Sequence, residues 1–121
     1  MKQILIVGND AGLRNLYKEN LENLGYRVSL ADNSGDAEKK LQEKRPDLIT
    51  LDMQDREESG IEFMEKCHRK HRHIPVILCT RHGSARQDFR VWASSAHVIK
   101  SANLEELELA AKTILEETDP L

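Results

Sequence analysis

The apolar positions of this chain follow two rhythms that alternate along its length. Ile4-Leu5-Ile6-Val7 is an unbroken apolar run closed by the loop signal Gly8-Asn9-Asp10. Such a run reads as a strand buried on both faces and leading into a helix. Leu13, Leu16, Tyr17, Leu21 and Leu24 then recur at helical spacing, and Gly25 supplies a C-terminal stop. Tyr26 to Ala31 alternates as a second strand, after which Asn33 or Ser34 caps a helix carrying Ala37 and Leu41. That helix has to end before Pro46. The third strand, Leu48 to Leu51, ends at Asp52.

A polar loop from Met53 to Gly60 leads to a third helix with Ile61, Phe63, Met64 and Cys67 on its inner side. Ile74 to Cys79 is a fourth strand ending in Thr80, and Arg81 to Ser84 is a loop. Phe89, Trp92 and Ala93 mark a short fourth helix, and Ala96 to Ile99 is a brief fifth strand ending at Lys100. Asn103 with Glu106 forms a capping-box pattern, and Leu104, Leu107, Ala111, Ile114 and Leu115 line the inner face of the last helix. Five strands alternating with five helices predict a doubly wound, five-stranded parallel α/β sheet with helices on both faces, a three-layer sandwich.

Composition narrows the function classes. The 121 residues are expected to form one domain, 1–121, large enough to bury a core without staples. Net charge is −3 with no Lys/Arg-rich face beyond one short tract, which argues against nucleic-acid binding by this domain alone. Cys67 and Cys79 stand in apolar contexts and read as buried thiols, without a disulfide framework. The N-terminus enters a strand at once, and no apolar run approaches the ~18 residues of a membrane span, so no membrane partner and a cytoplasmic location are expected.

In a parallel sheet the carboxyl ends of the strands share one edge. Gly8-Asn9-Asp10, Asp52, Thr80 and Lys100 thereby become neighbours. A carboxylate, a hydroxyl and an amine in one cleft suit phosphoryl transfer: the carboxylate as nucleophile, the other two binding phosphoryl oxygens as charge develops.

At this point the chain resembles the receiver domain of two-component response regulators, the chemotaxis-regulator-like family with a flavodoxin-like (βα)5 fold. The likeness spans essentially the whole chain. It rests on I-L-I-V before the first loop, L-G-Y-R-V near the second strand and P-D-L-I-T-L-D at the third. It continues with S-G-I-E-F opening the third helix, I-P-V-I-L-C-T at the fourth strand and V-I-K after the fifth. The resemblance implies that Asp52 accepts a phosphoryl group from a histidine kinase or phosphotransfer protein, as the phosphoprotein of a phosphorelay. It further implies that Thr80 is the switch hydroxyl and that Lys100 pairs with the phosphoacceptor. Mg²⁺ is the implied cofactor, with Asp52, the backbone carbonyl of Gln54 and the positions after the first strand as its ligands. A downstream output protein or effector domain would read the altered face made by the fourth helix, fifth strand and last helix.

The departures from the family pattern matter as much. Aligned on Arg14, the two acids that usually follow the first strand are Gly8 and Asn9, and Asp10 stands one residue further on. Asp55-Arg56 replaces the usual Met-Pro, Ser101 replaces the proline after the lysine, and His97 holds the usual aromatic switch position. Losing an acid removes several kcal/mol of gross attraction to the metal at an effective dielectric of ~20. A weak, atypical metal site is therefore expected, with affinity lowered at least about tenfold and Asn9 a neutral ligand at best. With fewer acidic neighbours, Asp52 also becomes a better ion-pair partner for Lys100.

Other features admit two readings each. Asp10 is either a further metal ligand or the cap of the first helix. Cys67, His68, His71 and His73 form either a metal site or a basic helix end whose cysteine points into the core. His97 is a pH-sensitive switch or a half-exposed strand residue, and Trp92 is a partner anchor or a packing residue. Glu116-Glu117-Thr118-Asp119 reads as a solvated helix end. Three functions compete: a phosphorylated receiver, a degenerate receiver serving as a phosphorylation-independent interaction module, and a nucleotide- or flavin-binding protein of similar topology. Against the last, Gly8-Asn9-Asp10-Ala11-Gly12 lacks the glycine spacing of a pyrophosphate loop. The length leaves no room for a separate effector domain, so the chain is expected to be a free-standing receiver or part of a longer protein.

Overall fold

Alternate side chains of the first strand, β1 (Gln3–Val7), enter two different cores. A computed structural model describes residues 2–8, 10–53, 66–67, 69–70, 74–80, 96–99 and 104–117. In it Leu5 and Val7 join one buried cluster, and Ile4 and Ile6 join the other. This is why the run is apolar at every position: a central parallel strand has no solvent face.

The further elements are α1 (Ala11–Asn23), β2 (Arg27–Ala31), α2 (Ser34–Glu43), β3 (Leu48–Met53), β4 (Val76–Thr80), β5 (Ala96–Ile99) and a C-terminal helix, α3 (Leu104–Glu117). The five strands form one sheet in the order β2-β1-β3-β4-β5, and every neighbouring pair is parallel. One face packs Leu5, Val7, Ile49, Leu51 and Val76 with Ala37 of α2 and Cys67. The other packs Ile4, Ile6, Leu48, Ile77 and Cys79 under Tyr17 and Leu21 of α1 and Leu107, Ala111 and Leu115 of α3. Full burial of each such Leu or Ile contributes about 1.5–3 kcal/mol before entropy is counted. The three-layer sandwich follows from this two-sided burial.

Several expectations shift, and β1 starts at Gln3 and β2 at Arg27, each one residue from the expected start. β3 runs on through Met53, so Asp52 lies within the strand rather than at its end. Regular pairing in β4 starts at Val76, although the Pro75 carbonyl already accepts from the Ile49 amide. In α1, Leu16 is 40% exposed, while Tyr17 and Leu21 are buried. At 100° per residue Leu16 falls outside the arc shared by Leu13, Tyr17 and Leu21. Residues 66–67 and 69–70 are helical, which fits the third helix around Cys67. Ile61, Phe63, Met64, Phe89, Trp92, Ala93, Asn103, Thr118 and Asp119 lie outside the described residues.

Local chemistry sets the element ends. The Gly25 amide bonds the Glu22 carbonyl and the Tyr26 amide bonds the Leu21 carbonyl, a Schellman closure of α1. Gly25 has φ +97, the left-handed region that this closure demands. Asn33 is the cap of α2: its Oδ1 accepts from the Asp36 amide at 2.8 Å. After α2, buried Pro46 blocks further helix, and Asp47 docks onto Gln3 through two bonds. The Gln3 amide donates to Asp47 Oδ2 at 2.8 Å, and the Asp47 amide donates to the Gln3 carbonyl at 2.7 Å.

Burial pushes the Cys67 thiol up from 9.0 to about 12, with nearby Glu38 adding to the shift. The folded thiol thus stays protonated where the unfolded one ionises. Stability from this site is complete below pH 9 and declines as pH rises from 9 toward 12. Urea midpoints measured across that range should fall less steeply in Cys67→Ala than in the parent. Gly25→Ala should lose about 1 kcal/mol in the same assay at neutral pH. An added Cβ meets nothing within 4 Å, so that loss comes from the positive φ alone.

Candidate functional site

The sheet order reverses between β1 and β3: the chain steps outward from β1 to β2, then returns to lay β3 on the other side. In open α/β sheets such a switch point opens a crevice at the strands' carboxyl ends. The register brings Gly8, Asp52 and Thr80 to that crevice. Val7 pairs with Leu51, so Gly8 and Asp52 are the next positions along neighbouring strands. Asp52 pairs with Cys79 and Met53 with Thr80, which sets Thr80 one row beyond Asp52. Thr80 pairs in turn with Ile99, the last residue of β5, and Lys100 follows at once in sequence. Lys100, Asn9 and Gln54 lie outside the described residues. His97 pairs with Leu78 across β4 and β5.

Asp10 is the N-cap of α1: its backbone is extended, and Oδ1 accepts from the Leu13 amide at 3.1 Å. This bond uses the carboxylate at the positive end of the helix, as the capping reading predicts. Gly8 is buried, and its amide donates to the Ala31 carbonyl at 3.0 Å, joining the first loop to the end of β2. Gly8 brings no side chain to the position where the family usually has an acid.

Sequence reasoning used Arg14 only as an alignment mark, yet Arg14 reaches into this corner. Its Nη1 donates to the Gly8 carbonyl, and its Nη2 lies 2.9 Å from Asp32 Oδ1, just after β2. The Arg14 side chain is only 14% exposed, against 68% for Asp32. Nε is buried and has no acceptor among the described residues. The available signal was a charged residue directly beside Leu13 on a helix whose apolar stripe faces the sheet.

The cysteine–histidine tract gains no support as a metal site at its one described member of the four. Cys67 sits in the core with Leu5, Val7 and Ile49, and its raised pKa opposes the thiolate that a metal needs. His68, His71 and His73 lie outside the described residues. Lys66, one residue before Cys67, bonds Glu38 of α2 at 2.8 Å and holds that carboxyl below its usual range. No group of three or more His, Cys, Asp or Glu suited to a metal occurs among the described residues.

The cap makes a direct prediction. Asp10→Ala should cost about 1 kcal/mol in urea denaturation without divalent metal, whereas Asp10→Asn, an equally good cap, should stay close to the parent.

Comparison with known proteins agrees with this fold. Residues 4–112 match the family described as the response regulator receiver domain. The phosphate regulon transcriptional regulatory protein PhoB of Rhizobium meliloti is 30% identical over 99% of this chain, which spans 55% of that protein. Sporulation initiation phosphotransferase F of Bacillus subtilis is 30% identical, with 94% of both chains covered. Among solved structures, the response regulator TrrA of Thermotoga maritima, in complex with Mg²⁺-BeF, superposes with a TM-score of 0.87 at 34% identity. That match covers 94% of this chain and 99% of TrrA. TrrA in complex with the histidine kinase ThkA gives 0.85 at 35% identity, over 95% and 99%. This chain belongs to the response regulator receiver domain family.

Proposed function

We propose that residues 1–121 act as a receiver domain whose phosphoacceptor is Asp52. The observation that carries this reading is the register: Asp52 on β3, at the switch point, beside the β4 strand that ends in Thr80. A carboxylate oxygen of Asp52 attacks the phosphorus of a phosphohistidine on a histidine kinase or phosphotransfer protein. The P–N bond breaks, the imidazole takes the electron pair, and an aspartyl phosphate forms. The Thr80 hydroxyl and the Lys100 ammonium bind phosphoryl oxygens and so favour the charge that builds on them. The TrrA–ThkA complex supports a kinase as partner, and the Mg²⁺-BeF complex of TrrA supports a divalent cation as cofactor.

The residues here fit a divalent cation, but weakly. The candidate donors are all hard oxygens, as Mg²⁺ requires: the Asp52 carboxylate, the Asn9 amide and the Gln54 backbone carbonyl. Gly8 adds no carboxylate and its carbonyl is already taken by Arg14, while Asp10 has one oxygen committed to the helix cap. Asp10 can offer its second oxygen only through that bound geometry. When present, Mg²⁺ would offset charge on the transferred phosphoryl group.

Phosphorylation then shifts the population of conformers on the face that includes β5 and α3, which an output protein or effector domain reads. The transcription regulators among the relatives support such a partner. No helix among the described residues is long and apolar enough to cross a membrane, in keeping with a proposed cytoplasmic setting.

Incubation with Mg²⁺ and a small phosphodonor or a histidine kinase should add the mass of one phosphoryl group, and Asp52→Asn should abolish the gain. A protein that gains no mass with any divalent metal would overturn the reading.

A further inference from the structure

We propose that Arg14 is a built-in cation of the Asp52 corner and competes there with a divalent metal. The inference rests on the reading of Asp52 as the centre of the site and adds a residue that this reading does not use.

Three observations lead to it. First, the guanidinium is fixed in place: Nη1 holds the Gly8 carbonyl and Nη2 holds Asp32. Gly8 is the position next to Asp52 across the β1–β3 pairing, one strand spacing of ~4.8 Å away. Its amide bonds Ala31 of β2, so the guanidinium on its carbonyl and on Asp32 lies on the β2 side of β1 and acts on Asp52 across that strand. Second, the two partners of the ion pair differ in their access to water. Arg14 is 14% exposed and Asp32 is 68% exposed, so solvent screens the carboxylate far more than the guanidinium. The pair therefore leaves a net positive field on the protein side. Third, Gly8 and Asn9 contribute no acid to balance that field where a metal site needs negative charge. The buried Nε, lacking an acceptor among the described residues, adds to the excess of donors over acceptors.

A cation held this way opposes entry of a second cation and at the same time supplies part of the positive charge that a phosphoryl group requires. Arg14 does this through the field it sets up and through the loop carbonyl it holds.

A structural clamp and a charge effect can be separated, because two substitutions break the same ion pair from opposite sides. Arg14→Gln removes the positive charge, whereas Asp32→Asn removes the negative one. Mg²⁺ binding by the metal-free protein would be titrated by calorimetry and Mn²⁺ binding by electron paramagnetic resonance, with circular dichroism to confirm folding. The proposal expects Arg14→Gln to bind roughly three- to tenfold more tightly than the parent. Asp32→Asn should bind about two- to threefold more weakly, since its partner's charge is left uncompensated. Arg14→Lys, which keeps the charge but loses the planar fork, should remain near the parent.

If Arg14→Gln and Asp32→Asn shift affinity in the same direction, or if neither shifts it, the proposal fails. It fails equally if none of the proteins binds Mg²⁺ or Mn²⁺, because no competition then exists. Should Arg14→Gln not fold, Asp32→Asn and Arg14→Lys decide the matter by the same signs. These titrations need no phosphodonor, so a failure of phosphorylation at Asp52 would leave them intact and would count only against the function.

Discussion

The register of β3 against β1 is the constraint on which the rest of this structure depends. Ile4 to Val7 pair with Leu48 to Leu51, and the two-way bonding of Asp47 with Gln3 anchors the start of that ladder. A slip of one residue would exchange the two faces of β3 and send Ile49 and Leu51 into the wrong core. A slip of two would restore the faces but carry Asp52 along the strand by roughly 7 Å, out of its row beside Cys79. The apolar packing of β3 thus excludes the first error, and the Asp47–Gln3 docking excludes the second. The position of Asp52 is a consequence of how the strand begins, five residues earlier at Asp47.

Much of the architecture was readable from periodicity. β5 appears with the expected bounds and β1 starts one residue early, and the buried Leu107, Ala111 and Leu115 belong to the predicted stripe of the last helix. The misses have identifiable causes. Asp52 looked like a strand terminus because polarity signals a strand's end in sequence, yet backbone pairing with Cys79 and Thr80 holds Asp52 and Met53 in the ladder. Leu16 looked interior because spacing alone cannot define the width of a helix's buried arc. The rows of Asp52 and Thr80 were legible because strand ends determine them. The site was less so where one side chain crosses from helix to loop, since nothing in the spacing of Arg14, Gly8 and Asp32 announces their contact.

The departures from the family's acid pair take on a different meaning beside Arg14. On paper the loss of two carboxylates is a deletion that leaves a vacancy of negative charge. In the fold, a guanidinium is bound to the Gly8 carbonyl and to Asp32, on the β2 side of β1. The Gly8 carbonyl, a dipole with no net charge, satisfies an arginine donor but brings none of the negative charge that a carboxylate there would supply.

The sheet also partitions the cysteines. Cys67 packs in the core on one face and Cys79 in the core on the other. A disulfide needs the two Cβ atoms to approach within about 4 Å along converging directions. Here a hydrogen-bonded layer of backbone stands between them. Joining the sulfurs inside one molecule would require the sheet itself to part, so thiol chemistry in this fold is gated by global opening. In the folded state, oxidation cannot link the two halves of the core, and the sandwich has no internal redox latch.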